Sequence, residues 1–336
     1  MPATPPYPPS WLDRFSQWVD RLPGPPWPYY LGIGAAGYLL TSMMRWVDGR
    51  QPLGTFNPAP PPFLLWIVGV LLLHSYLDRY ARRALAQFEP LLHGGEGEME
   101  RLRYELTVTP VRTARLGSLF WIVTSTVLVI TGYAHIKPFF PLWEVIISIL
   151  SFAVGGSFMQ HVIHQMRTVR RIYAQIKSVD LYNLEPLMAF SGLTMRAASG
   201  LVLLQYAILA LLPGEAKLTL LIPAGTLTLV AVVLFSWPLM GVHRLLLDEK
   251  SKQLGEVESR LKAMITLLYQ RVDGVQLASV GEVEQAIGSL KTTREIIESR
   301  PTWPWQPATV RSLATAILLP IFLWLLQELL QRLLRL

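Results

Sequence analysis

The sequence predicts an all-α fold: a polytopic helical membrane protein with about seven spans and a cytoplasmic antiparallel helical hairpin. Apolar residues make up 51% of the 336 residues and charged residues only 16%, whereas charge usually occupies about a quarter of a soluble domain. The apolar residues fall in blocks of about 20, the length that crosses a ~30 Å hydrocarbon core. Lys and Arg residues cluster in alternate connections between these blocks.

Residues 1–27 combine a proline-rich start with an amphipathic helix. Between Ser10 and Leu22, apolar residues share one helical face and charged residues the other, which is typical of a helix lying in the headgroup plane. The same pattern suits a helix docked on the protein's own surface, and the sequence leaves both interpretations open. Ser10 and Asp13 resemble a capping box, which predicts a helix start there.

A transmembrane bundle of about six spans is predicted over residues 28–242, and a C-terminal membrane helix over residues 301–336. The predicted spans are residues 28–46, 60–78, 116–136, 140–162, 193–213, 217–239 and 309–331. Short connections near Pro138 and Pro213 predict tight turns between the third and fourth spans and between the fifth and sixth.

The orientation of the bundle follows from the basic residues of its connections. Loops 79–115 and 163–192 carry seven and four Lys or Arg residues, and residues 243–311 carry ten, whereas the alternate connections carry three. Because positive charge is retained in the cytoplasm, the N-terminus and the larger loops are predicted to lie on the cytoplasmic side of the cell membrane. Anionic lipid headgroups are the expected partner of these arginines. No stretch resembles a nucleic-acid-binding module, so no nucleic acid is expected.

Loop 79–115 has two predicted parts. Residues 79–92 are expected to continue the second span as a helix until the sequence HGGEGE interrupts it. Residues 104–109, with the sequence YELTVT, alternate in polarity, but an isolated strand of this length would be marginally stable. We therefore expect a turn or an extended linker there.

Residues 243–300 predict the cytoplasmic hairpin. Leucines recur every seven residues in its first half, a spacing that favours coiled-coil packing: Leu247, Leu254, Leu261 and Leu268. A break near Asp273 and Gly274 precedes a second helix. Its apolar stripe consists of Val283, Ile287, Leu290 and Ile297. The leucine seam could be covered within the hairpin, or residues 247–297 could form a homo-oligomer.

Small residues within the spans predict close helix packing. Gly32, Gly34 and Gly37 spell GxGxxG, which binds dinucleotides only where a strand turns into a helix. Because the motif lies within an apolar span, we interpret it as a surface on which a second helix approaches closely. Gly155 and Gly156 in the fourth span predict a second surface of this kind.

Several polar residues lie within the predicted spans and are candidates for an intramembrane or pore role. Arg196 is the clearest of them, since an arginine that faces lipid at mid-membrane costs at least ~2.5 kcal/mol. It either faces a partner, a pore or an anion, or reaches the inner headgroups. The other candidates are Glu144, Gln205, Thr124 and Ser125.

A second group of candidates falls at the inner membrane interface: His161, His164, Asp180 and Glu185. Two histidines three residues apart on a helix can bind a metal ion, but no third ligand is evident beside them. We therefore predict no metal and no cofactor. The chain has no cysteine, which excludes thiolate metal sites and cysteine nucleophiles.

The functional prediction is a non-enzymatic integral membrane protein, an oligomeric channel, sensor or scaffold coupled to the cytoplasmic hairpin. No P-loop, HExxH or GxSxG motif indicates an enzyme. One alternative is a small-solute or ion transporter. Another is a membrane-interface enzyme that uses the inner histidines and acids.

Overall fold

The computed structural model describes residues 5–57, 61–92, 95–133, 142–176, 181–211, 214–274, 280–303 and 307–334. Regular structure in these residues is helical and contains no strand, which confirms the all-α class. The helices are α1 (Trp11–Asp20), α2 (Trp27–Val47), α3 (Pro62–Phe88), α4 (Glu96–Thr107), α5 (Val111–Tyr133), α6 (Leu142–Tyr173), α7 (Glu185–Leu211), α8 (Gly214–Asp273), α9 (Val280–Ser299) and α10 (Pro307–Leu334).

Four helices in the described part of the chain are long and apolar enough to cross a membrane. They are Pro62–Leu91, Leu142–Tyr173, Glu185–Leu211 and Ala224–Asp273. These helices cover most of the second, fourth, fifth and sixth predicted spans, and they support a membrane location. The first and seventh predicted spans fall within α2 and α10, and the third lies in α5 up to Tyr133, after which its residues are outside the described part of the chain.

The centre of the bundle is formed by α3, α6 and α7. On its outside α2 packs against α3, α5 against α6, and α8 and α10 against α7. At one end of the core, the rings of Phe88, Tyr173 and Phe190 lie 5.1 to 5.6 Å apart between centroids. Edge-to-face and tilted aromatic packing of this kind adds about 0.5–1.5 kcal/mol per pair beyond the buried area. It fixes the mutual positions of the three central helices.

The contact between α5 and α6 depends on two glycines that face each other. A Cβ atom on Gly156 would lie 2.6 Å from the carbonyl oxygen of Gly117, and one on Gly117 would lie 2.8 Å from the carbonyl oxygen of Gly156. Because both obstacles are backbone atoms, the helices approach more closely here than any side chain permits. Gly155 faces the other way, against the indole of Trp66 on α3.

The contact between α2 and α3 uses only part of the GxGxxG motif. A Cβ atom on Gly34 would lie 2.9 Å from Val68, and one on Gly37 would lie 2.7 Å from Leu64. Around Gly32, by contrast, no described atom outside its chain neighbours and its own helix backbone lies within 4 Å of the corresponding position. Gly34 and Gly37 therefore allow α3 to approach, whereas Gly32 faces away from it.

The expected turn or extended linker at residues 104–109 is wrong for residues 104–107, because α4 continues to Thr107. Met99, Leu102 and Leu106 are buried on one face of α4, against α3 and α6. Burial of this amphipathic stripe stabilises the helix more than the weak helix propensity of Thr107 opposes it. Only Val108 and the residues directly after it are extended.

Helix α1 is docked on the bundle. The Ser10 hydroxyl accepts a hydrogen bond from the Asp13 backbone N–H at 3.1 Å, and the Asp13 carboxylate accepts one from the Ser10 N–H, so the predicted capping box is confirmed. Leu12 and Val19 are buried in the core shared with α3 and α6. The segment before α1 is extended and pairs with the residues that precede α5, Pro9 lying opposite Pro110.

Helices α8 and α9 pack along each other. The Lys250 ammonium donates to the carbonyls of Glu298 and Arg300, and Arg294 lies 3.6 Å from Glu258. The later residue of α8 therefore contacts the earlier residue of α9, as expected for two helices that run in opposite directions. The cytoplasmic location of this pair stays a prediction.

Candidate functional site

Four ionisable side chains meet where α1 lies across α3 and α6. His74 and Asp78 are one turn apart on α3 and share a face, His161 comes from α6, and Asp13 belongs to the first turn of α1. All four are at most 5% exposed. We call this set the Asp/His cluster.

Each imidazole of the cluster lies between the two carboxylates. His74 Nε2 is 3.2 Å from Asp13 Oδ1, and His74 Nδ1 is 3.8 Å from Asp78 Oδ2. His161 Nδ1 is 3.5 Å from Asp13 Oδ1, and His161 Nε2 is 2.9 Å from Asp78 Oδ1. The two rings are 4.2 Å apart between centroids. Acids and imidazoles therefore alternate around a closed ring.

The Asp13 carboxylate is held in one orientation. Its Oδ2 accepts hydrogen bonds from the Ser10 hydroxyl at 2.7 Å, the Thr109 backbone N–H at 2.8 Å and the Ser10 backbone N–H at 3.3 Å. Its Oδ1 therefore faces the two histidines. Burial acts to raise the pKa of the Asp13 carboxyl, but the hydrogen bonds from His161 and His74 outweigh it and hold that pKa well below its usual range.

Not every polar atom of the cluster has a hydrogen bond. Within the described residues, His74 Nδ1, His161 Nε2 and Asp78 Oδ1 are buried and have none. The 2.9 Å separation of His161 Nε2 from Asp78 Oδ1 is an ion-pair distance without hydrogen-bonding geometry. A buried polar group left without a partner costs about 1–3 kcal/mol, so the cluster is incompletely satisfied on its Asp78 side. On the other side, His74 Nε2 is hydrogen-bonded to Asp13 Oδ1 and His161 Nδ1 to the Thr109 hydroxyl.

The charge of the cluster points to the same conclusion. With neutral imidazoles, two buried carboxylates carry a net charge of −2, and burial penalises each uncompensated ion by several kcal/mol. Two protons on the histidines would cancel this charge, and so would one divalent cation.

The atoms that face Asp13 fit a metal ion. One ligand atom from each of Asp13, His74 and His161 lies within 4.8 Å of the other two. The measured separations of 3.2 and 3.5 Å match the edge of a tetrahedron with bonds of about 2.0–2.1 Å, which is roughly 3.3–3.4 Å. The Thr109 hydroxyl is hydrogen-bonded to His161 Nδ1 at 2.9 Å, so a metal ion on this nitrogen would replace that bond and have the hydroxyl oxygen beside it.

Asp78 occupies the position of an outer-shell carboxylate. If the Asp13-facing nitrogens bind an ion, each imidazole carries its proton on the nitrogen that faces Asp78. Histidine ligands commonly donate that second N–H to a carboxylate, which fixes the tautomer and the ring orientation. The two N–H groups would then lie on the side of Asp78, with their nitrogens 3.8 and 2.9 Å from its carboxylate oxygens.

A second polar layer fastens the N-terminal segment beside the cluster. The Tyr7 hydroxyl donates to the Val108 carbonyl at 2.9 Å, while His164 Nε2 lies 2.9 Å from the Tyr7 hydroxyl and 3.0 Å from the Glu105 carbonyl. Burial and the charge of the Glu105 carboxylate raise the pKa of the Tyr7 hydroxyl above its usual value. Glu105 itself pairs with Arg101 at 2.8 Å and with Arg171 at 3.1 Å.

The three described candidates for the inner interface do not form one site. His161 belongs to the Asp/His cluster, whereas His164 bonds to Tyr7 in the adjacent layer. Glu185 is exposed at the start of α7 and lines a separate cavity beside Arg196. Asp180 lies outside the described residues.

The intramembrane candidates are dispersed over the bundle. Glu144 lies 3.5 Å from Arg50, and the Gln205 side chain donates to the Ala224 carbonyl on α8 at 2.7 Å. The hydroxyls of Thr124 and Ser125 donate to carbonyls of their own helix. None of these residues contacts the Asp/His cluster in the described structure.

Sequence reasoning missed three of the four cluster residues. It assigned Asp13 a capping role only and did not single out His74 or Asp78. A local signal existed for the latter two, since an ionisable pair at i and i+4 is unusual near the end of an apolar helix. Asp13 gave no such signal, because 61 residues separate it from His74.

Comparisons of the chain with protein-family models, with curated proteins and with solved structures give no match, so the role of the cluster rests on its geometry.

Proposed function

We propose that this chain is a multi-pass protein of the cytoplasmic membrane that binds one divalent transition-metal ion at the Asp/His cluster. The ion would fasten the N-terminal segment, residues 5–22, to the helical bundle, and metal availability would thereby set whether this segment is docked. One observation carries the proposal: Asp13, His74 and His161 come from three different helices, yet they bring ligand atoms within 4.8 Å of one another in a buried site.

The donor atoms indicate the class of ion. Two imidazole nitrogens and carboxylate oxygen suit Zn²⁺ and its neighbours in the first transition row. Mg²⁺ and Ca²⁺ prefer sites made of oxygen atoms alone. We therefore take Zn²⁺ as the reference ion.

Burial of the cluster supports a structural or sensory role over catalysis. A catalytic zinc site keeps one position open to substrate. Neither the 440 Å³ cavity beside Arg101 and Arg171 nor the 370 Å³ cavity beside Arg196 is lined by a cluster residue. A closed site is suited to holding two parts of a chain together.

The proposal includes the topology expected from the sequence: seven spans, with the N-terminus, the larger loops and the hairpin in the cytoplasm. The cluster would then lie at the cytoplasmic ends of the second and fourth spans. Helix α8 continues without interruption from the sixth predicted span into the hairpin. A movement of the bundle helices would therefore be transmitted to residues 243–300. Leu247 and Ile296 remain 43% and 41% exposed there, which leaves apolar surface for self-association.

A metal titration tests this function. The full-length protein in detergent is stripped with a chelator, equilibrated with Zn²⁺ and passed over a desalting column. We expect one retained Zn²⁺ per chain, unaffected by a large excess of Mg²⁺. The variant Asp13→Asn keeps a good capping residue but removes the charged ligand, so its zinc affinity should fall at least about tenfold. Absence of retained zinc in the unmodified chain would refute the proposal.

A further inference from the structure

Arg196 lies in a polar cavity of about 370 Å³ between α3, α7 and α10. Tyr80 and Gln87 of α3 line it, together with Met195 of α7 and Ser312 of α10. The cavity is separate from the Asp/His cluster, which lies where α3 meets α1 and α6. Metal binding at the Asp/His cluster therefore gives no reason for an arginine in this cavity.

The guanidinium of Arg196 is held in place by three contacts. Its Nε donates to the Tyr76 hydroxyl at 2.9 Å, its Nη1 donates to the Gly192 carbonyl at 3.0 Å, and its Cζ lies 4.0 Å from the centroid of the Tyr80 ring. A Cβ atom on Gly192 would lie 2.3 Å from the Tyr80 hydroxyl, so glycine makes this arrangement possible. Because the group is ordered before any ligand arrives, binding loses little side-chain entropy.

No negative charge is among these contacts. In the described part of the chain they are a phenol oxygen, a carbonyl oxygen and an aromatic ring. Glu185 also lines the cavity, but it precedes Arg196 by about 16 Å along the axis of α7. Helix α7 is long and apolar enough to cross a membrane, and a cation on such a helix is stabilised by an anion.

We propose that Arg196 and Tyr76 bind the phosphodiester of an inner-leaflet phospholipid. The Tyr76 oxygen accepts from Arg196, so the phenolic proton can be donated to a phosphate oxygen, and the guanidinium has further N–H groups for the same anion. Met188 and Met195 give the cavity an apolar wall against which an acyl chain can pack. Inorganic phosphate would gain nothing from that wall. This inference rests on the proposed membrane placement and is independent of the metal site.

The test compares ligands on delipidated full-length protein by native mass spectrometry. Dioleoylphosphatidylglycerol is titrated against dioleoylglycerol, which has the same acyl chains without phosphate, and against inorganic phosphate. We expect the phospholipid to bind at least about tenfold more tightly than either, since a hydrogen bond to a charged group changes affinity by about this factor.

Variants assign the binding to Arg196, which lines the cavity, and to Tyr76, which is hydrogen-bonded to Arg196 but does not itself line the cavity. Arg196→Gln should weaken phosphatidylglycerol binding about tenfold, and Tyr76→Phe a few-fold. Arg79→Gln is the matched control, because Arg79 is an exposed arginine on α3 that bonds to the Ser75 carbonyl and does not line the cavity. It should bind the lipid as the unmodified protein does.

Three outcomes overturn the inference. They are unchanged lipid binding by Arg196→Gln, equal weakening in the Arg79→Gln control, and inorganic phosphate binding as tightly as the lipid. If Arg196→Gln does not fold, Tyr76→Phe and Arg196→Lys decide the matter. Arg196→Lys keeps the charge but not the planar geometry of the guanidinium. We expect a several-fold loss of phosphatidylglycerol affinity in both variants, and unchanged affinity in both refutes the assignment. None of these results bears on zinc retention.

Discussion

Replacing His161 with alanine should abolish zinc retention and free the N-terminal segment from the bundle. The substitution removes one metal ligand and also the imidazole that lies 2.9 Å from Asp78. Loss of an outer-shell partner alone costs about 10–100-fold in metal affinity, so loss of a ligand should cost at least about a hundredfold.

Release of the segment is measured by trypsin cleavage after Arg14 and Arg21. Both are exposed, but they lie on or directly after docked α1, where cleavage requires local opening. Zinc at a hundred times its Kd would stabilise the docked state by about 2.7 kcal/mol, so zinc should slow cleavage of the unmodified chain by about a hundredfold. In His161→Ala, zinc should give no protection.

His243→Ala is the matched control for this experiment. His243 stacks on Trp303 at 3.7 Å between ring centroids, away from the cluster, so this variant should keep its zinc and its protection. If His161→Ala retained zinc as well, or if zinc protected both variants equally, the cluster would not be the binding site.

Gly156→Leu should be the most destabilising single substitution in the contact between α5 and α6. A side chain there meets the Gly117 carbonyl oxygen at 2.6 Å and the Ser118 Cα atom at 3.0 Å, so the two helices must separate. Overpacking usually costs 1–3 kcal/mol, and because the obstacle is backbone we expect roughly 3 kcal/mol.

Thermal unfolding in detergent measures this difference. Gly32→Leu is the control, because no atom lies within 4 Å of a Cβ at Gly32, and its effect should stay within about 0.5 kcal/mol. Equal destabilisation by the two variants would mean that Gly156 does not mark a close helix contact.

Periodicity and hydropathy were sufficient to predict the helical class, because each depends on residues close together in sequence. The helical extension of the second span past Asp78 and the capping box at Ser10 also depend on residues close together in sequence, and the structure contains both. At residues 104–107 the local pattern failed, because the helix is stabilised by packing of Leu106 against other helices.

The Asp/His cluster could not be predicted in the same way. Its members lie far apart in the chain, and only the packing of α1 across α3 and α6 brings Asp13 to His74 and His161. The candidate partners of His161 that lie near it in sequence, His164 and Glu185, are outside the cluster. Tertiary packing decides which helix faces contact each other, and the local patterns of a single sequence do not specify these contacts.

X-ray absorption at the zinc edge can identify the ligands of the bound ion in the stoichiometrically loaded protein. The proposed site predicts two imidazole nitrogens together with oxygen ligands at about 2.0–2.1 Å, and the loss of one imidazole in a His74→Ala variant loaded at high zinc concentration. A shell without imidazole scattering, or a shell that His74→Ala leaves unchanged, would contradict the assignment of the metal site to Asp13, His74 and His161.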